Sequence, residues 1–197
     1  MKKQDPRVIK TKTGLKQALL KLIQQKNIEE LSVKEICDEA KVTRPTFYLH
    51  FEDKEKLVEA VSDELLNHFR ETVHASDAEE EMILSRTKPH PLFLRMFQHI
   101  LDHTMLYKAL LASNPNSPFG IKFKAEIGQF VSEGLYLREP DDSKLLAPRQ
   151  VINIYTTAAY FEVILWWIRE GYPISKDEMA FTLLNLSVYG PYAQSEK

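Results

Sequence analysis

Between positions 43 and 50 the chain reads Thr-Arg-Pro-Thr-Phe-Tyr-Leu-His, and almost every side chain in that run can take part in recognition. Arg44 offers a planar fork of donors that fits two adjacent acceptors, such as guanine O6 and N7. Thr46 and His50 can reach bases or phosphates, Tyr48 adds a hydroxyl, and Leu49 can meet a thymine methyl. A little further on, Lys54 stands in the first turn of the next expected helix. There an ammonium and a helix N-terminus together can hold a phosphate. The chain carries no Ser/His/Asp set, no Gly-rich phosphate loop and no paired metal-ligand motif, so an enzyme or a small-molecule carrier is a rival reading without a motif behind it.

These residues need elements to hold them. Leu15, Ala18, Leu19, Leu22 and Ile23 follow the spacing of one helix face, which predicts a helix from about Thr11 to Lys26, ending at Asn27. Ser32-Val33-Lys34-Glu35 is a capping box and opens a short helix through about Ala40. Thr43 is an N-cap for another, with Pro45 in its first turn, where a missing N–H costs nothing. Asp53 caps a longer helix with an apolar face of Leu57, Val61, Leu65 and Phe69. Burying Ile36, Cys37 and Ala40 against Val42, Phe47 and Phe51 leaves Arg44, Thr46, Tyr48, Leu49 and His50 facing outward. Two short helices about three residues apart, the second rich in outward polar and aromatic groups, form the pattern of a helix-turn-helix.

The segment SVKEICDEAKVTRPTFYLHFEDKEKLV, with its flanks over about residues 8–70, resembles the DNA-binding domain of the tetracycline-repressor (TetR) family. Its best-matching positions are Val42, Thr46, Phe47, Tyr48, Phe51, Lys54 and Leu57. The resemblance implies that Tyr48 and Lys54 touch phosphates and that Arg44, Thr46 and His50 lie in the major groove. With their neighbours Ser32, Thr43, Pro45 and Leu49 they make up the expected DNA-binding set. Lys41 departs from the pattern, since many members carry Gly at this turn and a left-handed backbone strains Lys. More weakly, FQHILDHTMLYKALL and WWIREGYPISKDEMAFTLLNL resemble the ligand-binding domains of a branch common in low-GC Gram-positive bacteria. The family implies an all-α homodimer: a three-helix N-terminal DNA-binding domain (residues 1–70, motif 32–51) and a C-terminal helical domain (71–197) for effector binding and dimerisation. It further implies a repressor released from a near-palindromic double-stranded operator by a small-molecule effector. Control by a protein partner is the alternative.

Charge is informative by its distribution. The net formal charge is only -2, yet residues 1–26 hold eight basic side chains against the single acid Asp5. A basic front on an acidic body suits an anionic partner, and suits a solvated terminus equally. One cysteine, Cys37, falls on an inner helix face, where packing is the expected role, and excludes an internal disulfide. The polar start and the reduced thiol point to the cytoplasm. The most apolar stretch, Tyr155–Ile168, is 14 residues with Glu162 inside it, short of the ~20 that span a bilayer, so no membrane is expected.

In the C-terminal half Pro89 and Pro91 precede a helix over 92–103, residues 119–135 read as a weaker helix, and 148–170 and 175–189 as two good ones. Between the first two, Asn114-Pro115-Asn116-Ser117-Pro118 reads as a loop by composition. Phe93, Phe97, His103, Tyr107, Phe123 and Tyr155 are candidates for an effector pocket, with plain core as the competing reading. The stretch 155–168 is apolar around most of its circumference, as in a helix buried against its own core and a second subunit. Tyr160, Ile164, Trp167, Phe181, Leu184 and Val188 are therefore the expected dimer face, and a central core helix of a monomer is the alternative. Glu162 would need a partner if buried. His99 and His103 are one turn apart and could share a metal, but the neighbouring sequence supplies no third ligand, so neither a metal nor a cofactor is expected.

Overall fold

The computed structural model describes residues 5–73 and 88–191; Lys2, Lys3 and the acidic stretch Asp77 to Glu81 lie outside them. All the regular structure among the described residues is helical. Helix α1 (Pro6–Leu22) starts earlier than its apolar spacing predicts, because Asp5 accepts the Arg7 N–H at 2.9 Å and Pro6 takes the first helical position. Only Leu15, Ala18 and Leu19 are buried along it, so hydrophobic periodicity marks its second half alone. A 3-10 turn (Ile28–Glu30) leads to α2 (Val33–Ala40), α3 (Arg44–Tyr48) and the long α4 (Lys54–Val73).

The second half comprises α5 (Pro91–Asp102), α6 (Thr104–Tyr107) running into a wide π turn (Lys108–Ala112), α7 (Pro118–Arg138), α8 (Arg149–Arg169) and α9 (Lys176–Tyr189). The α6 segment is an addition to the helices predicted from sequence. The Thr104 hydroxyl donates to the Leu101 carbonyl at 2.7 Å, and the helix restarts after His103. Gly120 is required where α7 begins, since a Cβ there would sit 1.9 Å from the Pro115 carbonyl oxygen. After α8 the chain reverses through two left-handed residues, Gly171 (φ 71°) and Tyr172 (φ 66°). The Tyr172 N–H closes on the Trp167 carbonyl at 2.8 Å, and the Trp167 indole donates to the Ile174 carbonyl at 2.9 Å.

Two apolar cores form, and α4 serves both. Leu57 and Val61 join Leu15, Leu19, Ile36, Cys37, Phe47 and Phe51 in the first. One to three turns further on, Leu65, Leu66, Phe69 and Val73 enter the second, with residues of α5, α7, α8 and α9. A single rigid element thus carries the N-terminal head on the body. Two ion pairs tie it down: Arg70 grips Glu126 of α7 through Nε at 2.7 Å and Nη2 at 2.5 Å, and Lys122 of α7 reaches Asp63 at 2.7 Å.

Helix α8 places most residues of the expected dimer face in the chain's own core. Tyr160, Ile164 and Trp167 are buried in the chain's own core, as is Leu184 of α9, while Phe181 and Val188 are half-buried. Most of these side chains are spent inside one subunit. Val151, Ile154, Tyr155, Ala159, Glu162 and Trp166 are exposed on α8, spaced as one outward stripe. Glu162 is in water and needs no buried partner. At 21 residues α8 is long and apolar enough to cross a membrane by composition, longer than its 14-residue apolar run suggests, although six of its side chains lie in the core.

Candidate nucleic-acid interface

The reading segment is built outward from Phe47. Its ring is fully buried, packed edge-on to Tyr48 (5.4 Å between centroids) and tilted against Phe51 (6.0 Å). Because α3 is only five residues long, fixing Phe47 turns the rest of the helix to solvent. Leu49 is 82% and Tyr48 55% exposed. Arg44 and Pro45 are also exposed, while Thr46 and His50 are half-exposed. Thr43 caps the helix as its sequence position requires: its hydroxyl oxygen accepts the Thr46 N–H at 3.4 Å and lies 2.8 Å from the Thr46 hydroxyl.

Helix α2 sets the angle of α3. Ser32 and Glu35 form the complete capping box, with the Ser32 N–H donating to Glu35 Oε2 at 2.9 Å and the Glu35 N–H to Ser32 Oγ at 3.3 Å. The Lys26 ammonium, followed by the Ser32 hydroxyl and amide, draws the Glu35 carboxyl down to a pKa of about 2. Ser32 is exposed, but its hydroxyl also donates to Glu35 Oε2 at 2.7 Å, so it is committed to the cap. At the end of α2 Lys41 adopts φ 55°, ψ 42°, the left-handed conformation in which a Cβ is strained. The turn closes when the Val42 N–H reaches the Cys37 carbonyl at 3.0 Å. Cys37 is buried, and burial pushes its thiol up, away from the reactive thiolate, in keeping with a packing role.

Lys54 departs from expectation. Its ammonium donates to the carbonyls of Ile28 and Glu29, both at 3.1 Å, and its side chain is only 17% exposed. It fastens the 3-10 turn to the start of α4 and spends two of three donors inside the head. The basic front is similarly engaged: Lys16 pairs with Glu64, Lys21 with Glu39 and Lys26 with Glu35. Lys12 lies over the Phe51 ring at 5.8 Å.

The matches to known proteins fall on this architecture. Residues 16–61, covering most of the head, match the family described as bacterial regulatory proteins, tetR family, and residues 87–188 match a transcriptional regulator C-terminal region of the same family. The chain belongs to the TetR family. It is 39% identical over 179 residues to the uncharacterized HTH-type transcriptional regulator YxbF of Bacillus subtilis (strain 168), covering 84% of this chain and 42% of that protein. The chain thus spans less than half the length of this curated relative. A TetR transcriptional regulator from Streptococcus agalactiae 2603V superposes with a TM-score of 0.72 at 21% identity, over 93% of this chain and 97% of that one. Thermus thermophilus FadR, a TetR-family repressor solved in complex with lauroyl-CoA, superposes at 0.62 with 20% identity, over 94% and 97%. At these identities the structures speak for the fold. The TetR family assignment makes the chain a helix-turn-helix, DNA-binding transcriptional regulator, and its relatives are regulators, not enzymes.

The residues expected to line a pocket scatter differently. Phe93, Phe97, Tyr107 and Phe123 are buried and touch other aromatic rings: Phe97 meets Trp167 at 5.2 Å and Tyr107 meets Phe123 at 5.2 Å. Tyr155 stands 74% exposed on the outer face of α8, remote from that cluster in role, because the apolar spacing of α8 runs all round and does not reveal which side is outward. A cleft of ≈ 910 Å³ lies elsewhere, between head and body, walled by Ile28, Lys54, Val58 and Ser62 on one side and Met105, Ala109, Leu110, Phe119 and Ile168 on the other. His103 sits instead in a cluster with His99 and with His68 of α4, a third imidazole that neighbouring sequence does not reveal because it lies 31 residues before His99.

Proposed function

We propose that the chain works in the cytoplasm as a homodimeric repressor, reading a near-palindromic operator and leaving it when an effector binds. The observation that carries the reading is α3: one buried ring, Phe47, holding a short capped helix whose Arg44, Pro45, Tyr48 and Leu49 face solvent. In this reading Arg44, Thr46 and His50 contact base edges, while Tyr48, Thr43 and the flanking backbone hold phosphates and set register. The division falls near residue 70, within α4. The outward stripe Val151, Ile154, Tyr155 and Trp166 of α8 supplies the dimer face, and two-fold symmetry sets two copies of α3 about one DNA turn apart. The effector enters the cleft between head and body. It shifts the population of head arrangements by its differential affinity for them.

Selection from a pool of random duplex DNA at two salt concentrations tests this. Recovery of a near-palindrome, with affinity falling steeply as salt rises, is the expected outcome. Salt-sensitive binding without sequence preference, or no binding, would remove Arg44, Thr46 and His50 from the reading role.

A further inference from the structure

We propose that His68, His99 and His103 form a binding site for a divalent first-row transition metal of the zinc class, with one coordination position left open. His68 projects from α4, and His99 and His103 lie one helical turn apart at the end of α5. His68 Nδ1 is 3.1 Å from His99 Nε2 and 3.1 Å from His103 Nε2, and the three ligand atoms all fall within 4.8 Å of one another. Zinc–nitrogen bonds of about 2.0–2.1 Å in a tetrahedral shell separate ligand nitrogens by roughly 3.3–3.4 Å, close to the two separations that His68 makes.

The surroundings fit the chemistry. Once Nε2 of His99 offers its lone pair inward, Nδ1 carries the proton, and the Tyr107 hydroxyl oxygen stands 3.1 Å away to accept it. That is the outer hydrogen bond that orients a metal-bound imidazole. Tyr107 is fully buried, and the Phe69 ring closes the same side at 5.4 Å from His99. His68 is exposed, giving the ion a way in and a position for water or an exogenous ligand. An all-imidazole set suits Zn²⁺, Ni²⁺, Co²⁺ or Cu²⁺ in preference to Mg²⁺ or Ca²⁺.

Because one ligand rides on α4 and two on α5, the ion would pin the helix that carries the head to the body. This regulatory half rests on the DNA-binding reading above; the metal site itself does not.

The full-length protein, stripped with chelator, is titrated with Zn²⁺ against a chromophoric competitor and, separately, with Co²⁺ to read its visible d–d bands. One ion per chain is expected, with tetrahedral-type Co²⁺ bands. The exposed-site variant His68→Ala should lose stoichiometric uptake while keeping its helical spectrum. Tyr107→Phe should bind about 10- to 100-fold more weakly. Equal uptake by wild type and His68→Ala, or none by either, would overturn the site and leave a metal-free N–H···N network. Metal uptake is read without DNA, so its failure is separate from failure of the regulator reading. On a selected operator, Zn²⁺ should change the affinity of wild type and not of His68→Ala; binding of Zn²⁺ with no such change would overturn the regulatory half.

Discussion

Replacing Lys54 by Met separates a phosphate anchor from an internal fastener, because Met keeps most of the apolar stem and removes only the charge and donors. The ammonium serves two carbonyls, of Ile28 and Glu29, each at 3.1 Å. Hydrogen bonds with a charged partner contribute about 1.5–3 kcal/mol when the freed acceptor stays dry. Glu29 is exposed, so water can replace its bond, whereas Ile28 is half-buried and its carbonyl is harder to rehydrate. The pair with Glu55 at 3.9 Å, on a carboxylate 74% exposed, adds next to nothing. The expected loss is therefore that of one effective bond, about 1.5–3 kcal/mol. Urea unfolding followed by far-UV circular dichroism, at fixed protein concentration, should show the midpoint falling by about 1 M for a slope near 2 kcal/mol/M. The salt dependence of operator binding should keep its slope. A phosphate-bound lysine would behave oppositely: unchanged midpoint, and a slope reduced by about one. That second result would refute the internal assignment and restore Lys54 to the anchor role that the family resemblance implies.

Two other substitutions test the frame around the site. Lys41→Gly removes the Cβ from a residue at φ 55°, where L-residues pay about 1–2 kcal/mol, and should raise the melting temperature by a few degrees after the extra chain entropy of glycine is deducted; a lower melting temperature would mean that the side chain of Lys41 stabilises the turn more than its backbone strains it. Ile154→Glu combined with Tyr155→Glu places two charges on residues 64% and 74% exposed, so the subunit fold should survive while sedimentation velocity shows dimer converting to monomer; an unchanged dimer would put the interface on another face.

What the sequence discloses follows the reach of each interaction. Ser32 with Glu35 and Thr43 with Thr46 span three residues, and Phe47 with Phe51 four, so the motif and its outward face are legible without a fold. Helix α8 is different. Apolar residues surround it, so no periodicity distinguishes Tyr160 and Ile164, buried, from Ile154 and Tyr155, exposed; only the packing of α8 on α7 decides. Lys54 offered a charge at a helix start, and nothing local says that the carbonyls of Ile28 and Glu29 arrive there first, 26 and 25 residues back. The imidazoles repeat the lesson. His99 and His103 are an open pair by spacing, and they become a three-sided site because Leu65, Leu66 and Phe69 enter the body core around His68 and press α4 against α5. The side chains that bury α4 are thus the ones that bring its histidine to the other two.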